Sequence, residues 1–338
     1  MVRKYVISGQ SSNWLHLTQL NISQNYESQM LRDFSLDYAK VLRYEKVSSL
    51  TQLRIGNDKL SDQHIYNLTQ RYAETVKSEQ ELSIISCKSS AYNIETSSVD
   101  IYSSDAKEII FLSDGVCVNE QKPKRDKIAK TGKERTTTNI LLLQTDIEDR
   151  NAYKTIIAAD GVNETDLIRA EIYKTYRTKI KQLPIVCISD GATSIKNQNK
   201  SIFGNDVTHI LDWYPLQSKV TQLMSQIAIH KSSKEESINL LNNYLWNGNG
   251  INAVLVLKFM QVKNQTKRDE LIKYLEKNQD HIINYECRKQ AGKIIGSGRT
   301  EKQNDCIVSK RQKRKGMSWS KNGSRNLAIL TAYHSKAA

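Results

Sequence analysis

The 338-residue chain has no apolar run approaching the roughly 18 residues that cross a membrane, so no membrane partner is expected. Its start, Met1-Val2-Arg3-Lys4-Tyr5, leads into no apolar stretch, which argues against a secretory signal. Cysteine is scarce: Cys87, Cys117, Cys187, Cys287 and Cys306 are odd in number, scattered, and include no Cys-x-x-Cys pair. That pattern speaks against a zinc site and a disulfide framework and suits free thiols in a reducing cytoplasm. A hydrophobic content of 38% fits a globular chain, long enough for one large domain and a smaller module.

What is present in excess is positive charge, +14 overall, and it is localised. Residues 286–325 hold twelve Lys or Arg against three acidic residues, and residues 122–135 hold seven against two. These two segments account for the whole excess. Concentrated positive charge attracts a polyanion through counterion release, and nucleic acid is the commonest such partner. The plainer alternative is that basic segments only keep the chain soluble.

Helical spacing of Met30-Leu31, Phe34, Tyr38 and Val41-Leu42 predicts that residues 1–80 are mostly helical. Ser61 is a suitable cap for a helix that places Ile65, Leu68 and Tyr72 on one face, after a turn at Ile55-Gly56-Asn57-Asp58. Such a pair of helices is either a helix-turn-helix, offering Gln63, Asn67, Gln70 and Arg71 to bases, or an ordinary helical hairpin. Residues 81–105 are polar and read as a linker. Strands are expected over 108–118, 137–147 and 152–159, then a helix carrying Leu167-Ile168, Ile172, Tyr176 and Ile180. Strands at 185–188 and 207–213 follow, with a helix over 216–230 started by Pro215. The chain thus divides into a helical DNA-binding module (1–80), a linker (81–105), an α/β core (106–215), a helical insertion (216–290) and a C-terminal part of the core (291–338). The order of elements in 106–215 is that of the ribonuclease H-like fold, a mixed sheet flanked by helices. His209, alone in an apolar strand, reads as structural.

Three acidic residues stand in distinctive settings: Asp114 in Phe111-Leu112-Ser113-Asp114-Gly115, Asp190 in Ser189-Asp190-Gly191-Ala192, and Glu301 in Gly296-Ser297-Gly298-Arg299-Thr300-Glu301. The first two follow short apolar runs, which places them at the rim of a buried sheet, where α/β folds carry their chemistry. Three carboxylates suffice to hold two magnesium or manganese ions, which prefer oxygen ligands and can activate a hydroxyl and stabilise the leaving oxygen of a phosphodiester. Each residue also has a simpler account. Asp-Gly is a common turn pair, and Glu301 could be first-turn charge complementing a helix dipole. Asp212 is a possible accessory carboxylate, although capping the next helix is simpler. Trp319 could stack on an unpaired base or pack on the last helix.

The stretch from Ile295 through Glu301-Lys302, together with Ile307-Val308-Ser309-Lys310-Arg311-Gln312-Lys313-Arg314-Lys315-Gly316-Met317-Ser318-Trp319-Ser320, resembles the C-terminal signature of DDE insertion-sequence transposases of the Kra and Lre types. Asp114-Gly115-Val116-Cys117-Val118-Asn119-Glu120-Gln121-Lys122-Pro123-Lys124-Arg125 is similar to the family's first-aspartate block, and Ser189-Asp190-Gly191-Ala192 to its second. The resemblance runs over residues 106–330, with a similar DNA-binding region near Leu60-Ser61-Asp62-Gln63. It implies Asp114, Asp190 and Glu301 as catalytic residues and ligands of two Mg2+ or Mn2+ ions. With the basic segments read as DNA contacts, Lys122, Lys124, Arg125, Arg299, Lys310, Arg311, Lys313, Arg314, Lys315 and Trp319 are expected along double-stranded DNA, both element ends and target. A homodimer or larger assembly on DNA, at the nucleoid of a bacterial cytoplasm, would follow. The family carries Asp-x-x-His after the fifth strand; here the residues are Asp212-Trp213-Tyr214-Pro215, without the histidine. The alternatives are a catalytically inactive DNA-binding remnant of such an element, or a ribonuclease H-like nuclease.

Overall fold

The computed structural model describes residues 28–55, 60–90, 92–121, 134–179, 181–205 and 207–334. The turn at 56–58, Ile180 and the basic residues Lys122, Lys124 and Arg125 lie outside them. The architecture is mixed α/β. Helices α1 (Gln29–Ala39), α2 (Tyr44–Ile55) and α3 (Asp62–Ser89) precede strands β1 (Ile109–Asn119), β2 (Arg135–Gln144) and β3 (Tyr153–Ile156). Then come α4 (Glu164–Tyr176), β4 (Ile185–Ser189), α5 (Thr193–Phe203) and β5 (Thr208–Leu211). Helices α6 (Trp213–Ile227), α7 (Lys231–Trp246), α8 (Gly250–Phe259), α9 (Gln265–Lys277) and α10 (Tyr285–Gln290) follow without a break by strands. The chain ends with α11 (Gly298–Asn304), a π-turn (Asp305–Ser309) running into Lys310–Gln312, and α12 (Lys321–Tyr333).

The five strands form one sheet in the order β3-β2-β1-β4-β5, with β1–β2 and β2–β3 antiparallel and β1–β4 and β4–β5 parallel. Side chains alternate across a strand, so β1 divides its apolar residues between two layers. Ile109 and Phe111 join Leu141, Leu143, Ile185 and Cys187 under α4 and α5. Ile110 and Leu112 join Val186, Ile188 and Ile210 under α6 to α9, so the long helical segment after β5 shares a core with the sheet. Farther along the same face of β1, Val116 and Val118 pack with Ile140 under α3, the π-turn and α12. Asp114 is the polar residue that separates these two apolar clusters.

Two boundaries differ from the sequence expectation. Residues 81–89 are helical rather than a linker, because α3 continues to Ser89. Its polar composition conceals a buried side: Gln80 donates to the Ile157 carbonyl (2.8 Å) and accepts from Ala159 N (2.9 Å), while Ile84 packs on the α4 layer and Cys87 is buried. The N-terminal helices also lack a core of their own. Leu36, Ala39, Val47, Ile65 and Leu68 close around Leu327 and Leu330 of α12. Ser61 caps α3 as expected, accepting from His64 N at 3.1 Å, and Gln63, Asn67 and Arg71 remain exposed. Gln70 instead receives a bond from Asn326 of α12.

The stretch before α11 is anchored by a buried charge network. Arg288 is fully buried and meets Glu108 with both terminal nitrogens (3.0 and 2.7 Å), and its Nε donates to the Ile294 carbonyl at 2.7 Å. Lys293 adds a contact to Glu108 at 3.3 Å and a bond to the Asp100 carbonyl at 2.9 Å. Both residues belong to the basic segment counted as a polyanion attractor, and both are structural. A buried pair that loses one partner leaves an uncompensated charge behind. Arg288→Met should therefore cost about 3–5 kcal/mol in urea denaturation. A loss below about 1 kcal/mol would show that Lys293 alone compensates Glu108.

Candidate metal and nucleic-acid site

The register of the sheet aligns three aspartates. Leu112 pairs with Ile188, and Ile188 with Ile210, all three in the same apolar layer. Asp114 within β1, Asp190 just past β4 and Asp212 just past β5 each lie two residues beyond that row, and neighbouring strands are about 5 Å apart. Carboxylates thus follow the apolar row at one level; β4 and β5 end there, while β1 runs on to buried Val116 and Val118, so Asp114 is not at the strand end its apolar run suggested. Asp114 is half-buried and lies within β1, paired with Ile140 of β2, so its Asp-Gly pair forms no turn. Asp190 is exposed and does start a turn, its Oδ1 accepting from Ala192 N at 2.9 Å. Gly191 follows at φ +82°, where a Cβ would come within 2.6 Å of Asn278 Oδ1. Only glycine suits that position.

Asp212 has a different task. It is fully buried; Oδ1 caps α6 by accepting from Tyr214 N (2.9 Å), and Oδ2 accepts from Ser297 N (2.6 Å) and the Ser297 hydroxyl. Gly296 beside it leaves the needed space, since a Cβ there would sit 2.8 Å from Asp212 Oδ1. Asp212 therefore ties the end of β5 to the loop that begins α11. Helix α6 starts at Trp213 rather than 216, and Pro215 sits in its first turn, where an N–H has no intrahelical partner to lose.

Glu301 lies exposed on α11 and shares an open cleft of about 400 Å3 with Asp114, Asn304, Asp305, Ser309 and Lys313. The direct bond from α11 to Asp114 comes from Asn304, whose Nδ2 donates to Asp114 Oδ2 at 2.6 Å. Among the described residues no three His, Cys, Asp or Glu side chains are placed to hold one metal ion. The donor set nevertheless has the chemistry of a hard-cation site. Among the described residues none of Asp114, Asp190, Asp212 and Glu301 forms an ion pair with a basic side chain. Burial raises the Asp114 carboxyl above its usual range, the charges of Asp190 and Asp212 raise it further, and the Gly115 N–H and Asn304 act in opposition. Tyr274 of α9 faces the same rim; burial, then the charges of Asp190 and Asp212, push its phenol up to about 12.

The expected DNA contacts divide. Lys310, Lys313, Arg314 and Lys315 are exposed, and Lys313 faces the cleft. Arg299 is half-buried, held by Asn151 (2.9 Å) and lying over the Tyr153 ring. Arg311 does not face DNA here: it is 3% exposed, stacked between Tyr44 and Trp319, and burial pushes its guanidinium down to about 10. Trp319 packs rather than offering a stacking face. Its Nε1 donates to the Gln312 carbonyl, and its backbone pairs with the end of β1 through Asn119 and Gln121. Buried His209 is structural as expected, pushed down to about 4 by desolvation and then by His281 and nearby lysines. Asn304, Ser297, Tyr274 and Asn278 were not foreseen; only Ser297, inside the Gly-Ser-Gly stretch, lay within a recognisable motif.

No protein-family model matches the chain, and no curated protein matches its sequence.

Two outcomes test the geometry. Because the fold disfavours the ionised form of Asp114, that ionisation subtracts stability as pH rises above the ordinary carboxylate range near 4. The melting temperature of Asp114→Asn, relative to wild type, should rise between about pH 4 and pH 7; a flat or falling difference would contradict the assigned environment. Asp212→Ala removes a cap and strands the Ser297 N–H, and should cost about 2–4 kcal/mol in denaturant titration. A near-neutral effect would remove Asp212 from its anchoring role.

Proposed function

We propose that the chain is a DNA transposase of an insertion sequence, of the DDE type resembling the Kra and Lre elements, which binds terminal inverted repeats and carries out metal-dependent strand cleavage and strand transfer. The observation that carries the proposal is that Asp114 and Asp190, neither with a basic partner among the described residues, each stand two residues beyond the paired Leu112 and Ile188, with Glu301 in the same cleft as Asp114, in a chain of net charge +14. The sheet order β3-β2-β1-β4-β5, with β1 antiparallel to β2 and parallel to β4, supports a ribonuclease H-like core.

Asp114 and Asp190 would hold Mg2+ or Mn2+, and Glu301 would complete the oxygen set from α11. Bound there, the two ions supply activation of the attacking oxygen and stabilisation of the leaving one. The chain's own contribution is positional. The parallel pairing of Leu112 with Ile188 supports an approach of Asp114 to Asp190, two residues farther on, and Asp212 fixes the loop from which α11 starts. Lys313 at the cleft would meet a phosphate oxygen, and Lys310, Arg314 and Lys315 extend that positive surface along a duplex. Joining two element ends calls for at least two copies on DNA, and the setting would be the nucleoid of a bacterial cytoplasm. Among the described residues no helix is long and apolar enough to cross a membrane.

A second reading, a DNA-binding remnant without catalysis, is favoured by Pro215, which stands in the first turn of α6 where the resembling family has histidine. Cleavage of a labelled repeat-end duplex separates the two. With Mg2+ or Mn2+, wild type should cut at least roughly 1000-fold faster than Asp190→Asn, the several kcal/mol that metal catalysis supplies. Equal, negligible cutting with intact binding selects the remnant. Lys313→Gln should lower the slope of log affinity against log salt by about one if it meets phosphate; an unchanged slope assigns it elsewhere.

A further inference from the structure

Seven buried side-chain polar atoms among the described residues have no hydrogen-bond partner. Two of them, Thr300 Oγ1 and Asn304 Oδ1, lie one turn apart on the same face of α11. Thr300 is 0% and Asn304 8% exposed, so water at the surface does not satisfy them. A buried polar oxygen without a donor is costly, and native structures leave few. Two on one turn of a seven-residue helix indicate a shared missing partner.

The orientation of Asn304 narrows what that partner is. Only the amide nitrogen can face a carboxylate oxygen, and Nδ2 does so, donating to Asp114 Oδ2 at 2.6 Å. Oδ1 is therefore held as an acceptor that cannot be flipped away. A neutral amide oxygen beside half-buried Asp114, which has no basic partner among the described residues, is a usual component of hard-cation shells, directly or through a bound water. We propose that Asn304 is a fourth residue of the cation site, its Nδ2 fixing the Asp114 carboxylate and its Oδ1 serving the ion or an ion-bound water, with Thr300 Oγ1 supporting the same water. This rests on the cation-site reading of Asp114, Asp190 and Glu301.

The test is Mn2+ binding to the full chain without DNA, read from the free-ion electron paramagnetic resonance signal alongside circular dichroism and thermal melting. Wild type should bind, Asp114→Asn should lose binding, and Asn304→Ala should weaken it roughly ten- to hundredfold while keeping its fold. Asn304→Asp sets two carboxylates against each other, so it should melt lower without Mn2+ and gain more from Mn2+ than wild type does. A folded Asn304→Ala with unchanged Mn2+ affinity overturns the proposal and leaves the Asp114 site standing. A wild type that binds no better than Asp114→Asn overturns both. Should Asn304→Ala not fold, Asn304→Asp decides alone: a Mn2+-induced rise no larger than that of wild type overturns the role.

Discussion

The buried carboxylate of Asp212 is the point on which the arrangement of the rim depends. One oxygen starts α6 and the other holds Ser297, so the end of β5 and the loop before α11 are fixed to the same group. Without it, the start of α11 would be held to the strands only from its far end, by Asn304 on Asp114 and by Ile307 and Val308 against β1. The Arg288–Glu108–Lys293 network acts from the other side, tying residues 288–294 to the start of β1. Two buried polar anchors therefore place a helix made of polar residues against a strand that could not hold it by apolar contact alone. Each is costly to desolvate and costly to break, which suits a site that must keep its geometry.

Electrostatics gives the rim its character. In a chain with a large positive excess, the simplest arrangement would pair each acidic residue with a nearby Lys or Arg. The structure does this elsewhere: Glu108, Glu171 and Asp160 all have basic partners. At the rim, among the described residues, Asp114 receives only neutral donors, Gly115 N and Asn304 Nδ2. Of the nearby basic segment, Arg311 is used in packing between two aromatic rings and Lys313 stands at the cleft mouth. Unpaired negative charge inside and positive charge outside suit a cation that is then approached by a polyanion.

Part of this was legible in the sequence because it follows from short-range pattern. The apolar run ending at Asp190 marked a strand end, with Gly191 at a true turn, whereas Asp114 stands inside β1, which runs on to Asn119. Alternation in β1 even singles out Asp114, the lone polar residue in the row Ile110, Leu112, Asp114, Val116, Val118. What pattern could not reach is tertiary. Nothing local distinguishes Arg311, buried under Trp319, from Lys313 two residues away, because burial is decided by Ala39 and Tyr44 from the far end of the sequence. Asn304 has no motif, and its meaning appears only when α11 meets β1. The helical continuation to Ser89 was hidden for the same reason: its few apolar contacts are with α4, some 80 residues distant in sequence.

Iron-directed backbone cleavage tests the central claim most directly, since Fe2+ can replace Mg2+ and, with ascorbate and peroxide, cuts the chain next to its ligands. The account predicts fragments ending close to Asp114, Asp190 and Glu301, suppressed together by excess Mg2+ and absent in Asp114→Asn. Cuts elsewhere, or a pattern indifferent to both Mg2+ and Asp114→Asn, would contradict it.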